Sequence, residues 1–90
     1  SMHGADVQAW ELLGQTWDRL GQPLRAVRAQ AEARYVTGDL QGALDRLRAA
    51  QQLARAPGQT DFIEASVIDA RVKQVEAEWQ HRVREEMRRR

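Results

Sequence analysis

Cysteine is missing from this 90-residue chain, which excludes disulfide staples, thiolate zinc sites and thiol nucleophiles while leaving the redox compartment open. Packing alone must hold the fold. Proline occurs only at Pro23 and Pro57, and the few β-branched residues never alternate with polar ones, so no strand pattern is present. No stretch approaches the roughly 18 apolar residues that a membrane-spanning helix requires. A charged leader followed by an apolar run is likewise absent. Charge of one sign is also lacking: 14 basic residues, all Arg except Lys73, face 13 acidic ones for a net +1. That balance argues against nucleic-acid binding by bulk charge. Of the two histidines, His3 falls in the residues read as a cloning remnant and His81 stands alone, so a two-histidine zinc motif cannot be built. With no glycine-rich phosphate loop either, the chain is expected to be noncatalytic and to hold no cofactor of its own.

What is present favours helix. Alanine, glutamine, arginine and leucine dominate, and all are good helix formers. An all-α fold of about four helices is expected, over residues 6–20, 23–37, 40–56 and 61–87. The length suits one domain, residues 5–90, with residues 1–4 read as a cloning remnant and the whole as a fragment of a longer protein. Asp6 is placed as the N-cap of the first helix, whose stripe of Val7, Trp10, Leu13, Trp17 and Leu20 is read as core. Gly21 and Gly38 suit helix ends, Pro23 and Asp39 suit helix starts, and the fourth segment runs from Asp61. The last helix, at about 1.5 Å per residue, would run roughly 40 Å against roughly 22 Å for each of the others, so its end should overhang.

The two glycine turns, Leu20-Gly21-Gln22 and Thr37-Gly38-Asp39, are alike and lie half a 34-residue period apart. Trp10, Leu13, Gly14 and Trp17, then Leu20-Gly21 and Ala26, resemble the first half of a tetratricopeptide repeat. In the next frame, Gly38-Asp39, Ala43-Leu44, Leu47 and Ala50 resemble the second-helix half of such a repeat. The run from Trp10 to about Glu76, including Ala29-Gln30-Ala31-Glu32-Ala33, Tyr35-Val36-Thr37-Gly38-Asp39-Leu40 and Ile68-Asp69-Ala70-Arg71, is similar to a more particular group. It resembles the C-terminal tetratricopeptide domain of bacterial envelope zinc metalloproteases related to the β-barrel-assembly-enhancing protease. The resemblance implies a periplasmic parent whose zinc sits in a separate protease domain, and a domain here that docks a protein or peptide segment, or that protease domain itself.

Carried onto this sequence, the resemblance implies two sets of groove residues. Gln8, Glu11, Gln15 and Asp18 come from the first helix, and Arg25, Arg28, Glu32 and Tyr35 from the second. The arginines would meet carboxylates of an extended peptide, and reversing both should abolish binding without unfolding the domain. Glu78, His81 and Glu85 share a helix face and form a conceivable metal cluster, although a solvated polar face is the simpler reading. Trp79, Val83 and Met87 lie on the overhang as a candidate interface, either to the protease domain or between two copies. The final nine residues carry five Arg against two Glu. Complementing the helix dipole explains them more simply than contact with an anionic membrane. The expected function is therefore a protein-interaction module, the alternatives being an oligomerisation or regulatory helical domain that uses the long last helix, or membrane-surface binding through the Arg-rich end.

Overall fold

A computed structural model describes residues 2–90, with side chains from residue 4 onward. Ser1 and the side chain of His3, both assigned to the N-terminal remnant, lie outside the described residues. Four helices follow one another: α1 (Met2–Arg19), α2 (Pro23–Val36), α3 (Leu40–Ala54) and α4 (Phe62–Arg88). The all-α expectation is correct, and the boundaries of α2, α3 and α4 fall within about two residues of those expected.

The turns explain the boundaries. At the end of α1 the Gln22 amide donates to Trp17 O, and at the end of α2 the Asp39 amide donates to Arg34 O. Both closures need a left-handed residue, supplied by Gly21 at φ 71° and Gly38 at φ 87°. The 17-residue similarity seen in the sequence is thus a repeated backbone motif. Pro23 opens α2, where its missing N–H costs nothing. Asp39 and Asp61 cap α3 and α4 by accepting from the Gly42 and Glu64 amides at 2.9 Å and 3.2 Å, each worth about 1 kcal/mol.

Each helix packs on the one before it, and α2 also touches α4. Short turns make successive helices antiparallel, so α2 and α4 run parallel. The result is a slab of 48 × 32 × 15 Å. Its core lies within α2, α3 and α4. One cluster joins Ala31, Leu40, Ala43, Leu44, Leu47, Val72 and Val75; a second joins Leu24, Ala50 and Ile68. Burying Leu47 or Ile68 contributes about 2 kcal/mol each.

Helix α1 departs from expectation in two ways. It begins at Met2, so Asp6 lies inside the helix and does not cap it. Its stripe is also not core: Leu13 and Leu20 are exposed, and Trp10 and Trp17 are only half-buried. The physical reason is that α1 packs on α2 alone. One neighbour can cover one narrow face, and Gly14 is the residue of α1 buried there. A Cβ at Gly14 would sit 3.5 Å from Ala26 O and 3.6 Å from the Ala29 Cβ.

Candidate partner-binding clefts

Helix α2 presents a polar edge on each side of its packed surface, and the two edges have different fates. On the α4 side, Arg25, Arg28, Glu32 and Tyr35 recur at helical spacing and meet Asp61, Glu64, Arg71 and Glu78 in order. Arg25 Nε donates to Asp61 Oδ2 at 3.0 Å. Arg28 donates from Nε to Glu64 Oε2 and from Nη1 to Glu32 Oε2, the latter at 3.3 Å. Arg71 grips Glu32 with two bonds, and Tyr35 Oη donates to Glu78 Oε1 at 2.7 Å.

Burial makes this ladder structural. Glu64 is 3% exposed and Glu32 5%, and an unpaired carboxylate at such depth would cost several kcal/mol. No buried side-chain polar atom among the described residues lacks a partner. The bonds also fix protonation. The hydrogen bond to Glu78, followed by burial and the Glu78 charge, raises the Tyr35 hydroxyl above its ordinary value. Hydrogen bonding to Glu32 raises Arg71 against the opposing effect of its own burial, so its guanidinium stays charged.

The tryptophans of α1 roof the same edge. Trp17 lies 5.2 Å from the Arg25 guanidinium and Trp10 5.8 Å from that of Arg28, while Arg71 stacks over Tyr35 at 4.7 Å. Each such contact is worth about 1 kcal/mol at a partly exposed site. Arg25, Arg28, Glu32 and Tyr35 are therefore joined to α4 and α1 within the chain.

The other polar edge of α2 is open. Helices α1 and α3 do not touch, and α2 floors the cleft between them. Two adjoining depressions occupy it. One, of about 320 Å³, is lined by Glu11, Gly14, Gln15, Asp18 and Gln30. The other, of about 380 Å³, is lined by Val7, Glu11, Gln30, Ala33, Arg34, Thr37 and Arg46. Glu11, Gln15 and Asp18 thus share a wall, with Gln8 exposed on the same helix but outside either lining. Among the described residues, no ion pair or side-chain hydrogen bond engages Glu11, Asp18 or Arg46. The two residue sets expected to share a groove therefore lie on opposite edges of α2.

The far end of α4 is divided. Trp79 does not overhang: it packs with Tyr35 against the core cluster of Leu40, Leu44 and Val75. Arg82 Nη1 donates to Gly38 O at 3.1 Å, tying α4 to the α2–α3 turn. Beyond that bond Val83 and Met87 are exposed, Met87 at 70%. Of the conceivable metal cluster, Glu78 is bonded to Tyr35 and Glu85 to Arg88. Among the described residues, no group of three side chains is placed to hold a metal ion.

Sequence reasoning could not see that Arg25 and Arg28 are already partnered, because their α4 partners lie 36 residues away. A signal did exist: Asp61, Glu64, Arg71 and Glu78 reverse the charge order of Arg25, Arg28 and Glu32 at compatible helical spacing. Compared with known proteins, the chain matches no family model, no curated protein and no solved structure.

Proposed function

We propose that this chain is a noncatalytic protein-interaction domain whose partner, a peptide segment, lies in the cleft between α1 and α3. The observation that carries this reading is the contrast between the two edges of α2. On the α4 edge every candidate group has a partner within the chain, whereas Glu11, Asp18 and Arg46 face the α1–α3 cleft with their charges unpaired. Unpaired charges around an open, polar-floored cleft supply register and specificity to a docked segment. The sequence resemblance extends the proposal to a docking domain of a periplasmic zinc metalloprotease acting on outer-membrane proteins, with the zinc in a separate catalytic domain.

A displayed peptide library selected on the full chain provides the test. Selected peptides should lose at least tenfold in affinity on the E11K/D18K variant, with helicity by circular dichroism unchanged. Selected peptides that bind this variant as tightly as the parent would remove the cleft as the docking site.

A further inference from the structure

Because successive helices are antiparallel, the α1–α2 turn, the α3–α4 connection and the first turn of α4 gather at one end of the slab. A depression of about 850 Å³ spans that end, with Trp17, Gln22 and Arg25 on one side and Gln59, Thr60 and Asp61 on the other. Chain connections are ordinarily polar. Around this depression, however, Leu20 is 63% exposed, Phe62 73% and Ile63 77%.

We infer that this end of the slab binds the surface of an anionic bilayer, with Leu20, Phe62 and Ile63 inserted among the headgroups. It is a second surface, separate from the α1–α3 cleft. The placement of the apolar residues suits a flat medium better than a protein groove. Phe62 and Ile63 are consecutive, so they stand about 100° apart around α4 and share no helix face. What they share is a direction. Helical side chains tilt towards the N-terminus, and for the first turn of α4 that is outward from the end of the slab. A surface lying across the helix ends therefore meets both of them, together with Leu20 from a different helix.

Size and charge agree with a bilayer. With α4 along the long axis, the slab measures 32 × 15 Å across its end, less than the roughly 800 Å² that each partner gives to a stable protein interface. A bilayer needs no such matched area, because inserted side chains and surface charge supply the affinity. The acids of this end turn inward: Asp61 pairs with Arg25 and caps α4, and Glu64 pairs with Arg28 at 3% exposure. Arg19 and Arg55, beside the two connections, have no ion pair among the described residues. Asp18 is the one acid near this end that is likewise unpaired, and it lines the α1–α3 cleft. The outward balance is thus basic. Trp17 borders the depression, and indole rings favour the headgroup level of a bilayer.

Flotation of the full chain with phosphatidylcholine vesicles, with and without phosphatidylglycerol, tests this. Binding should be about tenfold tighter to the anionic vesicles, as two arginines near the surface provide, and high salt should reduce that preference by screening. The F62S/I63S variant should bind anionic vesicles at least tenfold more weakly with helicity unchanged, since both side chains are exposed. R19E/R55E should lose the preference for phosphatidylglycerol, whereas R89E/R90E, at the opposite end of the slab, should keep it. A wild-type chain that ignores anionic vesicles overturns the inference. So does vesicle binding that survives F62S/I63S, or that R89E/R90E abolishes, since the contact would then lie at the end of α4. Self-association in sedimentation velocity that F62S/I63S removes, with no vesicle binding, would overturn it in favour of a protein contact.

Discussion

Glu32 of α2 is held by Arg71 of α4 through two bonds, Nε to Oε2 at 2.8 Å and Nη2 to Oε1 at 2.7 Å. The planar guanidinium matches both carboxylate oxygens and at the same time stacks on Tyr35, a geometry that lysine cannot reproduce. Glu32→Ala leaves Arg71 and Arg28 without this anchor, and the expected loss is about 3 kcal/mol. Arg71→Lys keeps the charge but loses the second bond and the stacking, for about 1.5 kcal/mol. Urea unfolding reads both as a lower midpoint at constant slope; an unchanged midpoint for Glu32→Ala would contradict the role given to this pair.

Reversing Arg25 and Arg28 together is expected to unfold the domain. Five acidic groups, the two introduced ones with Glu32, Asp61 and Glu64, would then crowd one edge, and Glu64 is only 3% exposed. A cost of about 4 kcal/mol consumes most of the stability of a domain this size. Circular dichroism should show helicity lost for R25E/R28E. A variant that melts like the parent would restore these arginines as groove residues.

Gly14 has room for a methyl group. A Cβ there would make ordinary contacts at 3.5–3.6 Å with Ala26, Ala29 and Gln30. Gly14→Ala should therefore raise stability by about 0.7 kcal/mol through helix propensity. A larger side chain such as Leu should push α1 off α2. Thermal melting of the two variants in opposite directions is the expected result; destabilisation by alanine would place the helices closer than described.

Tyr35 is the sole tyrosine, so its titration can be followed directly by ultraviolet absorbance. The folded chain holds the phenolic proton more tightly than the unfolded chain, because the hydroxyl donates to Glu78. This contribution is fully present below the unfolded value of about 10 and is lost as pH rises through the higher folded value. Tyr35→Phe should remove that alkaline fall. A native tyrosine titrating below about 10 would show that the Glu78 bond is not formed.

The sequence made the helices legible because their ends are chemically marked: glycine at 21 and 38, proline at 23, aspartate at 39 and 61. These are local signals, decided within a few residues. The burial of α1 was not legible, because α1 carries apolar residues on two faces, Val7, Trp10 and Trp17 on one and Leu12, Leu13 and Leu20 around the other. Periodicity cannot say which face finds a neighbour. The same limit applies to the candidate site. Arg25 and Arg28 have the composition of a ligand edge, and only the parallel placement of α4 shows their carboxylate partners. Glu11, Gln15 and Asp18 were identified from the sequence as a surface, but their cleft depends on α1 and α3 failing to touch.

That failure to touch has a dynamic consequence. Because α1 shares contacts with a single neighbour, it can detach while α2, α3 and α4 keep their core. Amide hydrogens of α1 should then exchange through a partial opening, at a lower free energy than those of α3, which require global unfolding. Occupancy of the α1–α3 cleft would slow this opening by bracing α1 from its second side. Slowed exchange in α1, accompanied by a comparable slowing in α3 because global unfolding also destroys the cleft, would report docking without any label on the partner.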